Sequence, residues 1–253
     1  MKNFKTRLKK QILTLGSWLT IPDLTIAEII AKQNFEFLVV DMEHSSINNN
    51  QALDIIRLID NCNKNVLVRL PNFNVEKIKK ILDFGAHGLI FPDVRTLNDA
   101  KKITESTYYA PKGSRGMGLH RAQNFGENLN EYIKWSNKNL SIILQIEHYK
   151  AVEELDEMLK LDRVDGILVG PYDLTASICD PGNFNNERYK KILNKIIKIT
   201  KKRKKTIGFH LVDPTDARIK KLIRLGFNLI VCGVDFKYLI KGLKTFDISN
   251  YEK

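Results

Sequence analysis

Two stretches share one grammar: Asp83-Phe-Gly-Ala-His-Gly-Leu-Ile-Phe91 and Arg224-Leu-Gly-Phe-Asn-Leu-Ile-Val-Cys-Gly233. Each leaves an amphipathic segment, turns at a glycine (Gly85, Gly226) and enters a short apolar run. Glycine just past a helix accepts the left-handed conformation that ends it. Helix, glycine and buried strand in that order form the repeating unit of an α/β protein.

Eight runs of the same kind lie along the chain, at 13–19, 37–40, 66–69, 88–91, 142–146, 166–169, 206–210 and 229–232. They lack in-out alternation, as parallel strands covered on both faces do. Helical spacing fills the intervals at 26–32, 51–60, 75–84, 97–106, 149–159, 187–202 and 215–225. Eight strands with helical crossovers in 253 residues predict a (β/α)8 TIM barrel, one domain over 1–253. A doubly wound sheet would place a glycine-rich phosphate loop after its first strand, and no GxGxxG follows 13–19. Residues 108–139 read as an elaborated βα loop after the fourth strand, and loops that long are usually functional.

Composition narrows the class. The chain is 43% hydrophobic and 28% charged, which excludes collagen-like and largely disordered chains. Three cysteines, Cys62, Cys179 and Cys232, provide no disulfide framework and no CxxC zinc knuckle; they are read as packing residues, and reduced thiols fit a cytoplasmic protein. No apolar run is long enough to span a bilayer. The basic start MKNFKTRLKK followed by ILTLGSWLTI imitates a signal peptide, but it breaks at Pro22-Asp23 without a small-x-small site. The net charge of +12 fits solvated lysines on helix surfaces better than nucleic-acid binding, because no binding motif accompanies the run Lys201-Lys202-Arg203-Lys204-Lys205.

In a barrel, chemistry belongs where strands end. Those ends carry Trp18, then Asp41, Glu43 and His44, then Arg69, then Gln145 and Glu147, then Gly170, Pro171 and Asp173, then His210 and Asp213. Singly, each has a plain structural use. Asp41 and Asp173 could cap helices, Arg69 could pair with Asp41, and Trp18 could pack the rim. Together they form a set. Glu147 and Asp173 come from adjacent strands and suit a hard divalent cation, Mg²⁺ or Mn²⁺. An arginine beside it can stabilise an enolate, and His44 near Asp41 can move protons at neutral pH. No lysine occupies a strand's C-terminal edge, so carbonyl activation falls to metal and Arg69 rather than to a Schiff base. The pieces fit enolate chemistry on a small 2-oxo acid.

On these residues the sequence resembles the HpcH/HpaI aldolase family, metal-dependent pyruvate aldolases acting on 2-oxo-3-deoxy acids. The resemblance runs from about Gly16 to Asp235, through GSWLTIPDLTIAEIIA, FLVVDMEHS, VLVRLP, ILDFGAHGLIFPDV, PKGSRGMG, LQIEHYKAVEELDEM, VDGILVGPYDLTAS and HLVDP. It implies a TIM barrel assembled as a hexamer, a trimer of dimers, with a C-terminal helix exchanged between subunits. It implies Glu147 and Asp173 as ligands of Mg²⁺, Mn²⁺ or Co²⁺, Arg69 as the group that steadies the enolate, and His44 with Asp41 as the proton relay. Trp18, Gln145, Val212 and the segment Gly170, Pro171, Tyr172 and Asp173 are expected around pyruvate, and Arg121 near the aldehyde end or a subunit boundary. Two departures stand out: Tyr172 occupies a position usually held by a small residue, and HRAQNFG (120–126) differs from the common form. The expected partners are pyruvate and an aldehyde, with neither nucleic acid nor membrane. A CoA-ester lyase of the citrate lyase β type is the alternative, and a nucleic-acid-binding barrel the third possibility.

Overall fold

The computed structural model describes residues 4–245. Eight strands, β1 (Thr14–Leu19), β2 (Phe37–Asp41), β3 (Asn65–Arg69), β4 (Gly88–Phe91), β5 (Ser141–Ile146), β6 (Gly166–Val169), β7 (Thr206–Leu211) and β8 (Leu229–Cys232), pair in parallel in chain order. They close into a barrel where β1 meets β8. The helices are α1 (Phe4–Lys9), α2 (Leu24–Ala31), α3 (Asn49–Asn61), α4 (Val75–Asp83), α5 (Leu97–Thr107), α6 (Leu129–Asn139), α7 (Ala151–Met158), α8 (Pro171–Ala176), α9 (Glu187–Lys202), α10 (Asp216–Leu225) and α11 (Asp235–Leu243). This is the expected TIM barrel, with strand ends within one residue of those read from hydrophobic runs. Gly85 and Gly226 take φ of 103° and 101°, as the turn after a helix requires. No helix among the described residues is long and apolar enough to cross a membrane.

The alternation hidden in the apolar runs is one of partners, not of polarity. Val39, Leu67, Ile143 and Leu168 point into the barrel, whereas Leu38, Val40, Val66 and Ile167 meet the helices. The segment resembling a leader's charged and apolar regions forms α1 and β1. Phe4 and Leu8 of α1 join the inner cluster from below, with the Phe4 and Phe37 rings 5.3 Å apart. Lys5 is buried there, 3.1 Å from Asp165 and donating to the Leu140 carbonyl at 2.7 Å.

Residues 108–139 are not a βα loop. Helix α5, started by a reciprocal Thr96/Asp99 cap, carries the chain back to the N-terminal end of the barrel before they begin. They therefore lie opposite the rim: Tyr108 donates to the Leu140 carbonyl just below β5, and Arg115 pairs with Asp83 at the end of α4, 2.6 Å away. The basic run 201–205 is also engaged at that end. Lys205 donates to the Val164 carbonyl at 2.6 Å, and Arg203 pairs with Asp156.

Candidate active site

The β2–β3 register sets Asp41 beside Arg69 at the C-terminal rim. Arg69 donates Nε to Oδ1 at 2.9 Å and Nη2 to Oδ2 at 2.6 Å. Its Nη1 lies 2.9 Å from Glu43 Oε2, and its guanidinium stands 4.7 Å over the Trp18 ring. Burial pushes the Asp41 carboxyl up, but the bonds and charge of Arg69, helped by Trp18, more than reverse this and hold it below the usual range. The Oδ1 atom also accepts the backbone N–H groups of Glu43 and His44, at 3.0 and 3.3 Å. Asp41 thus caps a turn and orients Arg69, and it meets His44 through the backbone N–H. The carboxylate beside the His44 ring is Glu43, 3.8 Å from Nε2.

Glu147, past the end of β5, is held at both oxygens. Gln145 Nε2 donates to Oε2, and the Asp93 N–H donates to Oε1 at 2.6 Å. Asp93 reaches it through a left-handed backbone, φ 50°, uncommon for a residue with a side chain. Gly170 passes close to the other oxygen: a Cβ there would stand 2.8 Å from Glu147 Oε2. Asp173 lies in the first turn of α8, behind Pro171 at its first position; it is not the cap. Burial raises the Glu147 carboxyl, and Asp173 adds to the rise. Glu43 is pushed to about 7, by burial first and then by Glu147, Asp41 and Asp173 against the pull of Arg69. Carboxylates crowded so that two resist ionising form a site built for positive charge.

A cavity of about 180 Å³ opens between these groups, lined by Trp18, His44, Arg69, Gln145 and Asp173 with Gly170, Pro171, Tyr172 and Val212. A wider cleft of about 910 Å³ shares His44 and Asp173 with it and adds Glu43, Asp93 and Glu147. Among the described residues no three His, Cys, Asp or Glu side chains form a closed metal cage. Two carboxylates with open positions nevertheless suit Mg²⁺-like ions, which keep waters and substrate oxygens as ligands. The buried Gln145 Oε1 has no hydrogen-bond partner, and Gln145 lines the smaller cavity.

One expected site residue lies elsewhere. Arg121 bonds the Phe84 carbonyl at 3.1 Å and pairs with Asp60 at 2.5 Å, at the end of the barrel opposite the cavity. It cannot reach the aldehyde end of its own subunit, because it sits in the αβ segment described above. Three residues without an assigned role belong to the site. Glu43 and His210 were legible at strand ends. His210 stacks on Trp18 at 4.5 Å. The part played by Asp93 depends on a backbone conformation that composition does not signal.

The sequence profile of the HpcH/HpaI aldolase/citrate lyase family matches residues 14–242. A 2-keto-3-deoxy-L-rhamnonate aldolase from Salmonella dublin is 32% identical over 234 residues, 92% of this chain and 86% of the relative. The structure of an HpcH/HpaI aldolase/citrate lyase family protein from Burkholderia cenocepacia J2315 superposes with a TM-score of 0.91 at 26% identity, over 97% of each chain. The citrate lyase β subunit from M. tuberculosis, solved with oxaloacetate and magnesium, shares the fold, with a TM-score of 0.61 at 11% identity over 90% of this chain and 94% of that one. With the arginine–carboxylate rim in place and the profile spanning the barrel from β1 to α11, the chain belongs to the HpcH/HpaI aldolase/citrate lyase family.

Proposed function

We propose that the protein is a class II aldolase that reversibly cleaves a 4-hydroxy-2-oxo acid, such as a sugar-derived 2-keto-3-deoxy acid, into pyruvate and an aldehyde. The observation that carries this is the Arg69 guanidinium, fixed by Asp41, on the same 180 Å³ cavity as Asp173. Glu147 and Asp173 would hold a divalent cation, Mg²⁺, Mn²⁺ or Co²⁺. When bound, it supplies Lewis-acid polarisation of the 2-oxo group.

The remaining chemistry belongs to the chain's own side chains. Trp18, Gln145 and the Gly170–Asp173 turn enclose the pyruvyl end. His44, whose ring faces both cavities, takes the proton of the 4-hydroxyl. The C3–C4 bond breaks, C4 becomes the aldehyde carbonyl, and the electron pair moves to the enolate of pyruvate. Arg69 donates to the developing oxyanion, a preorganised charge stabilisation, and a proton delivered to C3 completes pyruvate. Loss of pyruvate release with EDTA, and its return with Mg²⁺, Mn²⁺ or Co²⁺, is the test; undiminished activity in Glu147→Ala would overturn it.

The working unit is proposed as one barrel domain over 1–253, cytoplasmic, in a hexamer that exchanges the C-terminal helix. Exposed Phe236, Leu239, Ile240 and Leu243 on α11 support the exchange, since such a face is covered in a stable protein. Arg121 is then a candidate for the subunit boundary.

A further inference from the structure

The barrel wall is incompletely covered at β7. Outward residues such as Leu38, Val40 and Ile146 are wholly buried, but Phe209 and Leu211 on β7 are only half-buried. Outside them, between α9 and α10, lies a cavity of about 610 Å³. Its lining is apolar in larger part, with Tyr189 and Leu193 from α9 and Leu222 and Leu225 from α10. Pro171, Tyr172, His210 and Val212 line both this cavity and the 180 Å³ cavity at the reaction centre. The Tyr172 ring, half exposed, meets Phe184 edge-on at 5.1 Å and forms the sill between the two spaces.

We propose that this side cavity is a subsite for the apolar tail of the aldehyde, entered across Tyr172, so that the enzyme accepts aliphatic aldehydes as well as hydroxyaldehydes. The proposal rests on the aldolase reading. Two features point to a substrate chain as occupant: four residues line both this cavity and the one holding Arg69, and Phe209, Leu211, Leu193 and Leu222 offer hydrocarbon between the polar groups Lys190, Asp213, Arg218 and Lys221. In the synthetic direction C3 of pyruvate loses a proton and bonds the aldehyde carbon. The aldehyde oxygen takes up a proton, and no electrons are exchanged with a co-reactant.

The experiment compares acetaldehyde, butanal and hexanal as acceptors for pyruvate with Mn²⁺, products being identified by mass. Each methylene taken from water is worth a factor of about four, so kcat/KM is expected to rise at least ~tenfold from acetaldehyde to hexanal. Leu193→Trp and, independently, Leu225→Trp fill the cavity and are expected to lower the hexanal-to-acetaldehyde ratio ~tenfold. The ratio is internal to each variant, so partial misfolding does not move it. A flat chain-length profile in the unaltered enzyme, or a ratio unmoved in both variants, overturns the subsite; the latter is also the outcome if a second copy covers the cavity. Exchange of the pyruvate methyl protons in D₂O, followed by NMR, reports the reaction centre alone. Exchange with a flat profile removes the subsite and leaves the aldolase, whereas no exchange with any of the metals overturns both.

Discussion

Arg69 and Asp41 stand opposite one another on β3 and β2 and meet through two parallel bonds of 2.9 and 2.6 Å. The two-pronged geometry fixes the plane of the guanidinium and leaves Nη1 turned toward Glu43 and the carboxylate cluster.

A lysine cannot reproduce that fork. Arg69→Lys is therefore expected to keep the fold but lower kcat by about 10²-fold or more, the usual cost of one lost oxyanion donor. Arg69→Ala also leaves Asp41 buried without its cation, and should lose on the order of 3 kcal/mol in urea unfolding. Equal stability of the two variants would contradict the orienting role of the pair.

Gly170 gives a way to disturb Glu147 without touching it. An added methyl would stand 2.8 Å from Oε2 and 2.9 Å from Cβ of Glu147, closer than packing allows. Gly170→Ala should weaken Mn²⁺ binding, measured by calorimetry, by roughly 10–100-fold, as disturbed support of a ligand does, with the circular dichroism spectrum unchanged.

His210 carries a pH signature. Burial lowers its pKa from 6.5 to about 4, and Arg69 adds to the fall against the Gly233 carbonyl bond. Between those values the unfolded chain binds the proton and the folded one does not, so stability falls as pH drops from 6.5 toward 4. The linked contribution is on the order of 3 kcal/mol. Urea midpoints for His210→Gln should show a flatter acid limb than the unaltered protein, and parallel curves would refute the assignment.

At the other end, Lys5 and Asp165 form a buried pair 3.1 Å apart. Burial drives the Asp165 carboxyl up while Lys5 opposes it. Lys5→Met is expected to cost about 3–5 kcal/mol by stranding that carboxyl, and adding Asp165→Asn to recover most of it. A double variant no more stable than the single one would show that the helix, not the pair, matters.

The barrel was legible because its strands are short apolar runs punctuated by turn residues, a signal that burial on both faces sharpens. The rim was legible for the same reason: a polar residue directly after such a run has only the barrel mouth to occupy, as Asp41, Arg69 and Glu147 do. What escaped was set by other forces. Helix α1 was obscured because its basic sequence hides a lysine whose charge is neutralised by Asp165, just ahead of β6 and 160 residues away in the chain. Helices α6, α8 and α11 fall outside the seven stretches of helical spacing. Residues 108–139 were placed at the wrong end because chain direction there depends on α5 returning across the barrel. Arg121 went with them.

The α1 plug also bears on the order of assembly. Lys5 leaves the ribosome well before its anchors at Tyr108, Leu140 and Asp165. The base of the barrel is thus sealed late, by a segment that precedes every strand it closes. A bulky insertion within α1 would hinder that last closure, while the strands it seals could already be paired.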